Sequence, residues 1–77
     1  MKQIKILGTG CPKCKTLYEN TQTAVASAGV EANIEKVEKI TDIIAYGVMT
    51  TPALVIDGAV KSAGKTLSAD QIAELIQ

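Results

Sequence analysis

Two cysteines stand three positions apart, Cys11 and Cys14, and the chain of 77 residues has no others. They belong to the stretch Gly8-Thr9-Gly10-Cys11-Pro12-Lys13-Cys14. A dithiol at this spacing spans one helical turn and has two main chemistries. The first is thiol–disulfide exchange, in which an exposed, acidic thiol attacks a disulfide and the second thiol resolves the mixed disulfide. The second is binding of a soft metal, Cu(I) or Zn(II), between two thiolates. With no histidine and no third cysteine, a closed four-ligand zinc site within one chain is ruled out, while a two-coordinate Cu(I) site stays open. The bland alternative is two small buried residues with no chemistry.

The neighbours of the pair argue for chemistry. Ile4-Lys5-Ile6-Leu7 alternates and reads as a strand, and a long amphipathic helix starts at Pro12. Cys11 therefore falls at the N-cap and Pro12 at the first helical position, where a missing N–H costs nothing. The backbone N–H groups of Lys13 and Cys14 point back at the Cys11 sulfur and carry the positive end of the helix dipole. Lys13 and Lys15 add positive charge, with no acid in the first turn to oppose them. Cys11 is expected to have a lowered pKa, and Cys14, one turn inside, to be shielded and less acidic. Gly8 and Gly10 leave the backbone near Cys11 uncrowded, which suits a tight turn or a close substrate approach.

The elements that must position the pair follow in order. The helix from Pro12 to about Ala28 carries Cys14, Leu17, Tyr18, Thr21, Ala24, Val25 and Ala28 on one stripe, and Gly29 ends it. Tyr18 reads as core. Val30 to Val37 alternates as a second strand, giving a right-handed βαβ unit with parallel strands. Ile40 to Tyr46 suggests a short helix with Ile40, Ile43 and Ile44 facing inward, ended by Gly47. Ala53 to Ile56 is apolar throughout, like a strand buried on both faces, with Pro52 at its start. Asp57-Gly58 is a hairpin turn, and Ala59 to Ser62 a short return strand. Ser68 and Gln71 form a capping box for a last helix whose apolar face is Ile72, Leu75 and Ile76. The order is β-α-β-α-β-β-α: one α/β domain over residues 1–77, with a mixed four-stranded sheet and helices on both faces.

Composition narrows the function classes. Eight basic and eight acidic residues cancel, and Tyr18 and Tyr46 are the sole aromatics, so the chain lacks the basic face and stacking platforms that nucleic acid needs. No apolar run approaches the roughly 18 residues of a membrane span. Met1-Lys2-Gln3-Ile4-Lys5 does not read as a signal peptide, so the expected location is cytoplasmic. There, a cysteine pair is more often catalytic or metal-binding than a structural staple. No cofactor motif is present, and the expected state is a monomer.

Cys11-Pro12-Lys13-Cys14 after a first strand, and Thr51-Pro52 opening a buried strand before a hairpin, resemble the thioredoxin-like superfamily. The compact length is closest to its small glutaredoxin-like members, the redox-active disulfide proteins. The resemblance implies a thiol–disulfide oxidoreductase in which Cys11 attacks and Cys14 resolves. It implies that Pro52 is a cis proline packed against the disulfide and that Thr51 offers its backbone to an extended substrate segment. Gly10, just before the dithiol, and Pro12 and Lys13, between its cysteines, are expected to border that substrate with Thr51 and Pro52. The implied partners are a disulfide-containing protein or small molecule and an external disulfide reductase as electron donor. The chain departs from the family in three places. Gly10 stands where thioredoxins have tryptophan, Pro12-Lys13 replaces Gly-Pro, and the first strand has no buried acid to take the Cys14 proton. Before the last helix, Gly64 alone fits the glutathione-holding pattern of glutaredoxins, and Lys65 reads as a solvated loop charge.

The dithiol loop is also similar to the Gly-Met-x-Cys-x-x-Cys loop of small heavy-metal-binding domains, which would make the chain a Cu(I) carrier. That fold is βαββαβ. It needs a hairpin directly after the first helix and a strand at the end, whereas this chain has an isoleucine-rich helical segment and a capped final helix. It also has Thr9 in place of the methionine.

Overall fold

The computed structural model describes residues 2–10 and 12–76. The apolar alternation of Ile4 and Ile6 forms the strand β1 (Lys2–Leu7), and the heptad-like stripe after Pro12 forms the helix α1 (Pro12–Ala28). They are followed by β2 (Ala32–Val37), α2 (Ile40–Ala45), β3 (Ala53–Ile56), β4 (Ala59–Ala63) and α3 (Ala69–Ile76). This is the expected order. The sheet runs β2-β1-β3-β4, with β1 parallel to β2 and antiparallel to β3, and β3 antiparallel to β4.

The two central strands bury both faces because helices cover both. On one side Ile4, Ile6, Leu54 and Ile56 meet Leu17 and Ala24 of α1 and Ile72 and Ile76 of α3. On the other, Leu7, Ala53 and Val55 meet Ile43 of α2 and Val48 beyond it. Full burial of a Leu, Ile or Val side chain contributes about 1.5–3 kcal/mol, so these two clusters dominate stability. Thr21 is a polar residue buried on the α1 stripe, and its hydroxyl donates to the Leu17 carbonyl at 2.8 Å within its own helix.

Local signals set the helix ends. Gly29 takes φ +66° after α1 and accommodates the left-handed turn that ends it. At α3 the capping box closes in both directions: Ser68 N–H donates to Gln71 Oε1 at 3.0 Å, and Gln71 N–H donates to Ser68 Oγ at 3.3 Å.

Several boundaries and faces differ from the sequence expectation. β2 begins at Ala32 rather than Val30, because the first parallel partner, Lys2, sits opposite Ala32. β4 extends one residue further, to Ala63, which pairs with Ala53. Of the three α2 isoleucines only Ile43 is buried, while Ile40 and Ile44 are 62% and 63% exposed. A helix of six residues covers a corner of the sheet and presents one side chain to it. Leu75 is likewise 39% exposed, and Ala69 and Ala73 pack beside Ile72 and Ile76 instead.

Candidate active site

Pro12 is the first described residue of α1 and, with Lys13, is exposed at its tip. No acidic residue occupies that first turn, so nothing there opposes the positive end of the helix dipole. Cys11 lies outside the described residues. Its N-cap position and its role as attacking thiol therefore remain expectations from sequence. Cys14 sits in the first turn of α1 and is 6% exposed, shielded as its place inside the helix implies.

What shields Cys14 is partly Gly8. A Cβ on Gly8 would lie 3.0 Å from the Cys14 Cβ and would overlap its Sγ. The glycine is therefore a matter of space, since no positive φ is found at Gly8. Its N–H donates to the Val37 carbonyl at 3.0 Å, which holds the loop to the end of β2. Gly10 is the conformational glycine, with φ +91°. Behind Cys14 lies a cavity of about 180 Å³ lined by Ile6, Gly8, Gly10, Lys15, Lys36 and Glu38 together with Cys14 itself.

The second loop arrives beside the first through strand register. The β1–β3 ladder ends on the pair Leu7 and Ala53. One residue further along each chain stand Gly8 and Pro52. The Thr51–Pro52 peptide is cis, with Pro52 buried and Thr51 exposed. Gly64, at φ +75°, donates its N–H to the Pro52 carbonyl at 2.9 Å. It also lies so close to Thr50 that a Cβ there would come within 2.7 Å of Thr50 Oγ1. The return from β4 thus clamps the proline loop from behind.

Thr9 of the first loop and Thr51 of the second border one apolar groove, completed by Ile40, Ile43, Ile44, Val48 and Met49. Met49 is 98% exposed. Ile40, Ile44 and Met49 as groove residues, Gly64 as the clamp, Gly8 as the Cys14 contact, and Lys36 and Glu38 as cavity residues do not follow from the sequence reading. The spacing of Ile40 and Ile44 on a helix of under two turns is the one available signal for the groove. Tyr18 is half-buried in the core, as expected, and carries the Lys36 ammonium over its ring, 4.5 Å from the centroid.

Away from the loops, Lys5 projects to the α2 side of the sheet. Its Nζ donates to Tyr46 Oη at 3.0 Å and lies 4.0 Å from Glu35 Oε2. The tyrosine oxygen holds the Lys5 ammonium above the usual lysine range. At the opposite sheet end Asp57 Oδ1 accepts from the Gln3 N–H at 2.9 Å, with Lys2 Nζ 3.6 Å from Oδ2. The Gln3 hydrogen bond, then the lysine charge, hold the Asp57 carboxyl below its ordinary value.

A four-stranded mixed sheet with β-α-β-α-β-β-α order, Cys14 in the first turn of the helix after β1, and a cis proline at the neighbouring end of β3 define a thioredoxin-like protein. The thioredoxin domain model matches residues 2–77. The chain is 34% identical over 76 residues to the thioredoxin of Methanothermobacter thermautotrophicus, covering 99% of each chain. It is 40% identical over 74 residues to the thioredoxin of Methanocaldococcus jannaschii, covering 96% of this chain and 85% of that one. The chain belongs to the thioredoxin domain family, and its activity is that of a thiol–disulfide oxidoreductase. The copper-carrier reading loses its scaffold, because the hairpin β3–β4 follows the second helix and the last element is α3. No helix among the described residues is long and apolar enough to cross a membrane.

Proposed function

We propose that the protein reduces disulfides in proteins or small molecules through a Cys11–Cys14 dithiol cycle. The Cys11 thiolate attacks one sulfur of the substrate disulfide, and the other sulfur leaves as a thiolate. Cys14, deprotonated, then attacks Cys11 Sγ and expels the second substrate sulfur with its bonding pair. The protein ends as the Cys11–Cys14 disulfide and the substrate as two thiols, two electrons having passed between them. An external disulfide reductase returns the pair to the dithiol, and a reducing cytoplasm is the compartment that suits such a cycle.

The observation that carries this reading is the meeting of two loops at the shared ends of β1 and β3. The dithiol loop and the Thr51–Pro52 loop border one groove, through Thr9 and Thr51. An extended substrate segment pairs with the exposed Thr51 backbone as an added strand. The flanking positions Gly10, Pro12 and Lys13 then border the attacked sulfur, and an apolar substrate side chain rests on Ile40, Ile44 and Met49.

The test is Cys14→Ser. The variant keeps the attacking thiol and removes the resolving one, so under mild oxidation it accumulates a mixed disulfide with substrate, read by mass spectrometry of the non-reduced protein. Wild type shows the intramolecular disulfide instead. A Cys14→Ser protein that captures nothing, or that turns over like wild type, contradicts the proposal.

A further inference from the structure

The resolving step needs a place for a proton. Cys14 must shed one before it can attack, and β1 presents Ile6, not an acid, to the cavity behind it. That cavity of about 180 Å³ has room for several waters. Three charged residues line it among those described. Lys15 comes from α1, Lys36 from β2, and Glu38 from the segment directly after β2. Ile6, Gly8 and Gly10 complete the wall and carry no charge. Lys36 is seated over the Tyr18 ring, and Glu38 is the one acidic residue among the described residues that line the cavity.

We propose that Glu38 is the proton acceptor for Cys14, working through water held in this cavity. The inference rests on the dithiol cycle above and assigns one further residue to it. Cys14 Sγ–H gives its proton to a cavity water, which passes one to the Glu38 carboxylate. The electron pair left on Cys14 Sγ forms the bond to Cys11 Sγ as the bond from Cys11 to the substrate sulfur breaks. That bond's pair leaves on the substrate thiolate, and the proton on Glu38 returns to solvent or to the departing thiolate. Lys15 and Lys36 favour the transient negative charge on Cys14 over the neutral thiol. Gly8 is part of the device, since it lines the cavity and a side chain there would run into the Cys14 sulfur.

Two phases of thiolate release from 5,5′-dithiobis(2-nitrobenzoate) separate attack from resolution. The first coloured thiolate reports attack by Cys11, and the second reports expulsion by Cys14. In Glu38→Gln the first phase is unchanged. The second slows by about a hundredfold between pH 6 and 7, the low end of what a positioned base supplies. The difference fades above about pH 9, where a thiol of ordinary pKa near 8.5 ionises unaided. Glu38→Asp recovers most of the rate. An unchanged second phase in Glu38→Gln, or a slowing equal at every pH, overturns the assignment of Glu38. Release of two thiolates by Cys14→Ser is a different failure, because it removes the dithiol cycle and this inference with it.

Discussion

Gly8 is packed against Cys14 so closely that a Cβ at position 8 would lie 3.0 Å from the Cys14 Cβ and inside contact distance of its sulfur. The end of the first strand and the first turn of α1 are thus joined at a point where one methyl group does not fit. Gly8→Ala must move Cys14 or the loop. Overpacking of a well-filled site costs about 1–3 kcal/mol. The expected outcome is a loss of that size in urea unfolding, accompanied by slower resolution. A variant as stable and as active as wild type shows that the contact yields without cost.

Gly64 joins the proline loop by a different mechanism, and a double-mutant cycle separates its two components. Gly64→Ala meets Thr50 Oγ1 and also holds a non-glycine residue at φ +75°. Left-handed strain alone costs about 1–2 kcal/mol. Gly64→Ala is expected to lose more than that, and Thr50→Ala in the same chain to restore only the steric part. Full restoration by Thr50→Ala would mean that the backbone conformation carries no cost.

The proposed cycle assigns the exposed faces of Ile40, Ile44 and Met49 to recognition rather than to folding. Ile44→Ser and Met49→Ser are expected to change stability by less than about 0.5 kcal/mol, as surface substitutions do. KM for a disulfide-bonded protein substrate should rise several-fold, since loss of one buried apolar contact is worth on the order of 1 kcal/mol. Rates with a small aromatic disulfide should change far less. Equal effects on both substrates would remove the groove from substrate binding. Ile43→Ser provides the contrast, because its side chain lies in the core and its loss lowers stability directly.

Asp57 predicts the acid side of the stability curve. Its carboxyl is held below its ordinary value by the Gln3 N–H and the Lys2 ammonium. A depressed folded-state pKa gives stability that is present above the unfolded value, near 3.8, and lost as pH falls toward the folded one. Asp57→Asn keeps an oxygen acceptor and a residue type suited to φ +50°, yet cannot titrate. Chemical denaturation at pH 7 and pH 3 is expected to show a smaller difference for Asp57→Asn than for wild type. Identical pH dependence in the two proteins contradicts the role given to this carboxylate.

How much of this was legible in the sequence depended on range. The Ser68–Gln71 box and the Gly29 stop are decided within one helical turn, and the structure reproduces both. The unbroken apolar run of Ala53 to Ile56 correctly indicated a strand covered on both sides. Ile40 and Ile44 misled because helical periodicity says which residues share a face, not whether anything covers it. The contacts of Gly8 with Cys14 and of Gly64 with Thr50 and Pro52 depend on where two loops meet in space. The sequence marked those positions as glycine without indicating what the missing side chain makes room for. The cavity joining Glu38 and Lys36 to Cys14 is of the same kind, because it arises from β2 lying parallel beside β1.

The most direct test of the dithiol cycle is the alkylation rate of each cysteine in the reduced protein as a function of pH, resolved by mass spectrometry. The expected result is fast labelling of Cys11 with an apparent pKa well below the ordinary value of about 8.5, and near inertness of the buried Cys14. Equal rates and ordinary pKa values for both thiols would contradict the division of labour on which the whole mechanism depends.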